Sequence, residues 1–170
     1  MTPSAPPHRR FRNSEPTPLP PAPIVLDDAV IRVLGEVSLF SGLTRMQLIW
    51  LLSAVTRFDV PANGLFFDEG EAGDKLYVLI VGSAVVEKAN GGSWHTLATL
   101  RPGETFGEMA VVDGLPRSAR VRASVDSVAL GLNRMKLEGS AEVAVVVYRN
   151  IAIMQTLRLR SANQRANALA

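Results

Sequence analysis

The sequence predicts a mainly β domain, a sandwich or a roll, with helices on both sides of it. Three observations point there. Short β-rich runs follow one another between Arg57 and Leu132, separated by turn residues at regular intervals, and many short strands at that spacing close into a sandwich or roll. Apolar residues at helical spacing flank that region at both ends. The 170 residues are 47% apolar and 20% charged, enough to bury one core of ordinary size.

The elements follow in order. Eight of the 11 prolines lie in residues 1–23, a segment with little to bury that favours extended polyproline conformations. Residues 1–24 are therefore expected to be a disordered tail, either inert or, through TPLPPAP, a docking strip. Residues 26–37 place Leu26, Val30, Val33 and Val37 on one helical face, with Asp27 and Asp28 at the positive end of the helix dipole. Gly42 breaks the chain. Thr44 and Gln47 match a capping box that opens a helix running through Val55. Its apolar set (Met46, Leu48, Ile49, Trp50, Leu51, Leu52 and Val55) is wide enough to be mostly buried, with Trp50 in the core.

The β-rich runs are RFDV, LFF, KLYVLIV, AVVEK, WHTLATL, ARVRASV and SVALGL. In ARVRASV the alternation turns Ala119, Val121, Ala123 and Val125 inward and leaves Arg120 and Arg122 to solvent. Asn90-Gly91-Gly92 is a hairpin signal, because both residue types accept positive φ. Gly70, Gly73, Gly82 and Gly103 are assigned to turns, and His95 to a strand. Residues 134–138 form a short helical turn. A longer helix over about 141–163 carries Val143, Val147, Ile151 and Met154 on one stripe and spans about 35 Å. That stripe suits either packing on the β region or pairing with a second copy. No internal repeat is present; one domain over 25–165 and a short tail over 166–170 are expected.

Composition excludes several chemistries. With no cysteine, disulfide scaffolds, cysteine-rich zinc sites and thiol catalysis are removed together. Only His8 and His95 offer imidazoles, so a cupin-like oxygenase, which needs clustered histidines, is not expected, nor any bound metal. Neither a G-x-S-x-G elbow nor a Walker A loop occurs. No apolar run approaches the roughly 20 residues of a membrane span, and the N-terminus lacks the apolar centre of a secretory signal, so a cytoplasmic location is expected. The net charge of +2 divides into +2 over residues 1–24, +4 over 149–170 and −4 over the stretch between. Positive charge gathered at the ends rather than on one structured face reads as solvated termini, not a nucleic-acid footprint.

One segment, FGEMAVVDGLPRSA over 106–119, breaks the β rhythm. It holds a glycine, an acid, a short helical turn, a proline turn, then an arginine and a serine opening a strand. The start of a helical turn offers unpaired N–H groups to an anion, and arginine adds a fixed fork matched to phosphate oxygens. Glu108 only accepts hydrogen bonds, which suits a sugar hydroxyl. Phosphate donors beside a hydroxyl acceptor, within an apolar β framework, describe a nucleotide pocket.

The segment resembles the phosphate-binding cassette of the cyclic nucleotide-binding domains of catabolite activator proteins, cyclic-nucleotide-dependent kinases and gated channels. The family pattern is F-G-E-(L/M/I)-A, a six-residue turn, then R-(S/T/A)-A; this chain has FGEMA, VVDGLP and RSA without insertion. Similarity continues through VPANGLFFDEGEAGDKLYVLIVGSAVV and LFSGLTRMQLIWL, covering about residues 37–160. The resemblance implies a jelly-roll-like β-roll preceded by helices and closed by a long C-terminal lid helix. It implies that Glu108 accepts from the ribose 2′-hydroxyl and that Arg117 pairs with the equatorial phosphate oxygen. Main-chain N–H groups near Gly107, Ala110, Ser118 and Ala119 complete the cradle, and Phe106 and Met109 belong to the same binding set. Ser118 touches the phosphate, or the purine amino group in guanine-binding members. By resemblance to bacterial regulators, serine there favours cAMP while also admitting cGMP; cyclic dinucleotides stay open.

In the family the last long helix moves onto the base, which would bring Leu157 or Arg158 to the purine, with a solvated Arg158 as the alternative. No helix-turn-helix fits beyond Arg160, and no kinase, channel or transporter segment is present. The expected output is a stand-alone, non-enzymatic sensor signalling to a partner protein, with a homodimer through the C-terminal helix as one mode. The alternatives are a degenerate fold serving as an interaction module without ligand, or an excised regulatory piece of a larger channel or transporter.

Overall fold

The computed structural model describes residues 34–168. The proline-rich segment, its arginines, His8 and residues 26–33 of the expected first helix lie outside the described residues. Leu34 and Val37, from the end of that helix, are buried in the core.

A 3-10 turn at Ser38–Phe40 leads to α1 (Arg45–Leu52). The capping box is present: Gln47 N–H donates to Thr44 Oγ1 at 3.3 Å, and Thr44 N–H donates to Gln47 Oε1 at 2.9 Å. The helix stops at Leu52, three residues before the expected end, because Val55 is claimed by β1 (Val55–Val60), which pairs with a strand from the other end of the roll. Leu48, Leu51 and Leu52 are buried, but Met46 and Trp50 are exposed, contrary to the expected core role of Trp50. Five apolar residues in a row, Leu48 to Leu52, leave periodicity unable to choose the buried face.

The remaining strands are β2 (Leu65–Phe67), β3 (Lys75–Val81), β4 (Ala84–Asn90), β5 (Ser93–Leu100), β6 (Thr105–Phe106), β7 (Arg120–Ala123) and β8 (Ser127–Asn133). They form two four-stranded sheets, β1-β8-β3-β6 and β2-β7-β4-β5, with every pairing antiparallel. The expected β-roll is observed. β1 lies against β8, Val55 opposite Leu132 and Val60 opposite Ser127, so the roll is closed by its first and last strands. The β4–β5 hairpin closes on Gly91 and Gly92, at φ +59° and +84°, as the Asn-Gly-Gly signal predicts. The two-residue β6 escapes periodicity. β7 ends at Ala123, so Val125 sits in the following turn and is exposed rather than inward.

The helices α2 (Glu108–Asp113), α3 (Arg134–Glu138) and α4 (Ala141–Ala168) complete the fold. Val143, Val147 and Ile151 of α4 are buried with Leu39, Leu51 and Leu137 in one core, and Met154 packs against it. The stripe thus packs against the chain's own core, the first of the two uses its spacing allows. A second core fills the roll, where Tyr77 stacks on Phe106 at 5.2 Å and Phe66 meets Phe106 edge-on at 5.0 Å.

Arg120 and Arg122 are not solvated as expected. Both donate to Glu87 on β4, Arg120 Nε to Oε2 at 2.8 Å and Arg122 Nη2 to Oε1 at 2.9 Å. The Arg120 guanidinium also lies 3.5 Å from the Trp94 ring centroid. Glu87 is only 5% exposed, and the hydrogen bond from Arg122, ahead of that from Arg120, holds its carboxyl below the usual carboxylate range. A lowered folded pKa contributes stability that is present above the ordinary value and lost as pH falls through the folded one. Glu87→Gln should therefore lower thermal stability at pH 7 by on the order of 1–3 kcal/mol. It should also flatten the fall of Tm below about pH 4.5, the unperturbed value. Melting curves from pH 3 to 8 check this, and an acid limb identical to the parent's would refute it.

Candidate functional site

The site begins at two glycines. Gly107 holds φ +75° and opens α2 with no side-chain cap. A Cβ there would lie 2.8 Å from Arg117 Nη1 and 3.1 Å from the Phe67 ring, so both conformation and space require glycine. Gly73, in the β2–β3 loop, is closer still: a Cβ would stand 2.4 Å from Arg117 Nε. That loop is laced to the arginine's own main chain, with Arg117 N–H donating to Glu71 O at 2.8 Å and Gly70 N–H to Arg117 O at 2.9 Å.

Arg117 is 5% exposed. Its Nη1 donates to Gly107 O at 2.7 Å, its Nη2 to Lys75 O at 2.8 Å, and its Cζ rests 4.1 Å from the Phe67 ring centroid. A guanidinium stacked on an aromatic face and pinned by two carbonyls is preorganised, so little ordering remains to be done on binding.

Glu108, the first residue of α2, is 2% exposed. Gln155 Nε2 and Arg158 Nη1, both from α4, donate to its Oε1, and Arg158 Nη2 donates to Thr105 O at 2.6 Å. Arg158, expected either on a base or in solvent, thus ties the long helix to the cassette. Leu157 is exposed. The Ser118 hydroxyl donates to Met109 Sδ at 3.6 Å, a weak acceptor easily exchanged.

These groups surround one cavity of about 660 Å³, within the range of about 300–1,000 Å³ usual for small-molecule sites. Phe106, Gly107, Glu108, Met109, Ala110, Arg117, Ser118 and Ala119, the full set singled out from sequence, all line it. Val86, Leu97 and Val121 supply apolar wall, Lys88, Glu104 and Gln155 add polar groups that sequence reasoning did not assign to the pocket, and Arg158, expected on the base or in solvent, lines it as well. Gln155 stands four residues after Ile151 and three before Arg158, so helical spacing alone links it to the lid face. Nothing in AVVEKAN marks Lys88, and the turn reading of Gly73 missed the guanidinium it packs against. A second hollow of about 610 Å³ opens between α2, α3 and α4, and Met109 and Gln155 belong to both walls.

A buried guanidinium and a buried carboxylate line one cavity of a β-roll, with a long C-terminal helix tied across it, the architecture of a ligand-binding domain. The family model described as the cyclic nucleotide-binding domain matches residues 57–142, and the chain belongs to that family. It is 34% identical over 126 residues to the cyclic AMP receptor protein of Thermus thermophilus, covering 74% of this chain and 58% of that one. It is 39% identical over 90 residues to the cAMP-dependent protein kinase regulatory subunit of Yarrowia lipolytica, covering 53% of this chain and 24% of that one. The crystal structure of the Thermus thermophilus catabolite activator protein superposes with a TM-score of 0.70 at 33% identity, covering 78% of this chain and 62% of that one. The chain thus spans less than two thirds of the length of these relatives. Among the described residues no helix is long and apolar enough to cross a membrane, and no group of three or more His, Cys, Asp or Glu residues is placed to hold a metal ion.

Proposed function

We propose that this domain binds a 3′,5′-cyclic nucleotide, cAMP in preference to cGMP, and that α4 reports occupancy of the cavity to a partner protein. The observation that carries the reading is the division of labour at Glu108. Both donors from α4 fall on Oε1, which leaves Oε2 for the ribose 2′-hydroxyl while the lid stays closed. Arg117, already positioned, takes the equatorial phosphate oxygen, and the Ser118 hydroxyl turns from Met109 to the phosphate. The amides of Gly107, Ala110, Ser118 and Ala119 complete the cradle, and Val86, Leu97 and Val121 offer the base an apolar bed. The relatives named for cyclic AMP support the choice of adenine. A pocket open to about 660 Å³ favours a ligand-binding role over a degenerate fold packed with its own side chains.

Titration calorimetry with cAMP and cGMP tests the reading. Saturable heat with cAMP at lower concentration than with cGMP is expected; no heat with either up to millimolar ligand would sink it. Arg158→Ala should weaken cAMP by about tenfold, because it leaves the buried Glu108 charge without its cationic partner beside an anionic ligand. The same variant should loosen α4, seen as faster proteolysis or hydrogen exchange across residues 152–164. Unaltered exchange there would remove α4 from the signalling role.

A further inference from the structure

Resting on that reading of the cavity, we infer that Lys88 is a second cation for the ligand's phosphate, acting beside Arg117. The register of β4 on β7 sets Val86 opposite Val121 and Glu87 opposite Arg120. The ladder ends there, and strand alternation turns the next residue, Lys88, inward with Val86 while Glu87 turns to the outer face. Lys88 accordingly lines the cavity. Its Nζ stands 2.7 Å from Ser118 O and 2.6 Å from Glu69 Oε1. Glu69 is itself anchored, its Oε2 accepting the Ala89 N–H at 3.0 Å. The ammonium is thereby held at the residue whose amide and hydroxyl face the phosphate.

An ammonium carries three N–H donors. The Ser118 carbonyl and the Glu69 carboxylate take two, and the third is directed to an oxygen arriving at the Ser118–Ala119 corner. Two cations then share the exocyclic oxygens, the arginine fork on one side and the lysine point charge on the other. Such a site selects the phosphate more strongly than the base. Because Lys88 is half-exposed, its contribution is screened and smaller than that of buried Arg117.

The test compares cAMP with its two phosphorothioate diastereomers, in which sulfur replaces one exocyclic oxygen or the other. Titration of the parent, Lys88→Met and Lys88→Arg is expected to show cAMP weakened about three- to tenfold in Lys88→Met and largely restored in Lys88→Arg. The loss should differ at least about threefold between the diastereomers, because only one keeps the oxygen that Lys88 reads. An equal loss for all three ligands would overturn the proposal, showing that Lys88 only holds the Ser118 carbonyl in place. No loss for any ligand would overturn it too. Arg117→Ala, run in parallel, separates the failures: if it weakens cAMP while Lys88→Met does not, the error is confined to Lys88. If neither variant matters, the cavity reading falls as well.

Discussion

Arg117→Ala is expected to weaken cAMP binding by about ten- to a few-hundred-fold, since a charge-assisted hydrogen bond nets about 1.5–3 kcal/mol. The side chain does more than face a ligand. It satisfies Gly107 O and Lys75 O and covers the Phe67 ring. Its loss leaves two carbonyls short of a donor, at about 1–3 kcal/mol for each that stays dry. Melting temperature should therefore fall alongside affinity, while the β-roll persists on its two separate cores. Calorimetry and circular dichroism on one preparation separate the two effects. A destabilised variant that still binds cAMP with the parent's affinity would show that the anion is held elsewhere.

Gly73→Ala should reduce affinity by at least about tenfold, although the new methyl touches no ligand. Its Cβ would lie 2.4 Å from Arg117 Nε and 2.5 Å from Cζ. The guanidinium cannot retreat, because Phe67 backs it at 4.1 Å and the two carbonyls fix its plane. It must leave one or both hydrogen bonds and shift within the cavity. Gly70→Ala is the control from the same loop: its Cβ would meet nothing within 4 Å, but Gly70 holds φ +82°. That variant should lose about 1 kcal/mol of stability for the left-handed backbone and keep its affinity. Equal affinity losses in both variants would show that the loop, rather than the guanidinium, responds.

Much of the fold was legible where local rules and tertiary demands agree. The Thr44–Gln47 capping box, the Asn-Gly-Gly hairpin and the Val143–Val147–Ile151 stripe each depend on residues near one another in the chain, and each is found as read. The readings that needed revision share one cause. Trp50 lies in a helix apolar on all sides, Val125 at a strand end set by pairing distance, and Arg120 and Arg122 on an outer face where Glu87, more than 30 residues away, waits for them. Periodicity states which face a residue shares, not what stands opposite.

The cassette was the most legible part of the site because it is contiguous: from Phe106 to Ala119, spacing alone brings acid, turn and arginine together. Chain order by itself determined a mainly β sandwich or roll, the short helix that carries Glu108 and the arginine following the proline turn. Tertiary structure alone decided that Gly73 walls the guanidinium, that Lys88 reaches the Ser118 carbonyl, and that Gln155 and Arg158 close on Glu108. Those contacts join residues 30 to 50 positions apart. Such meetings are set by how sheets register and how a helix packs across them, which no local pattern encodes.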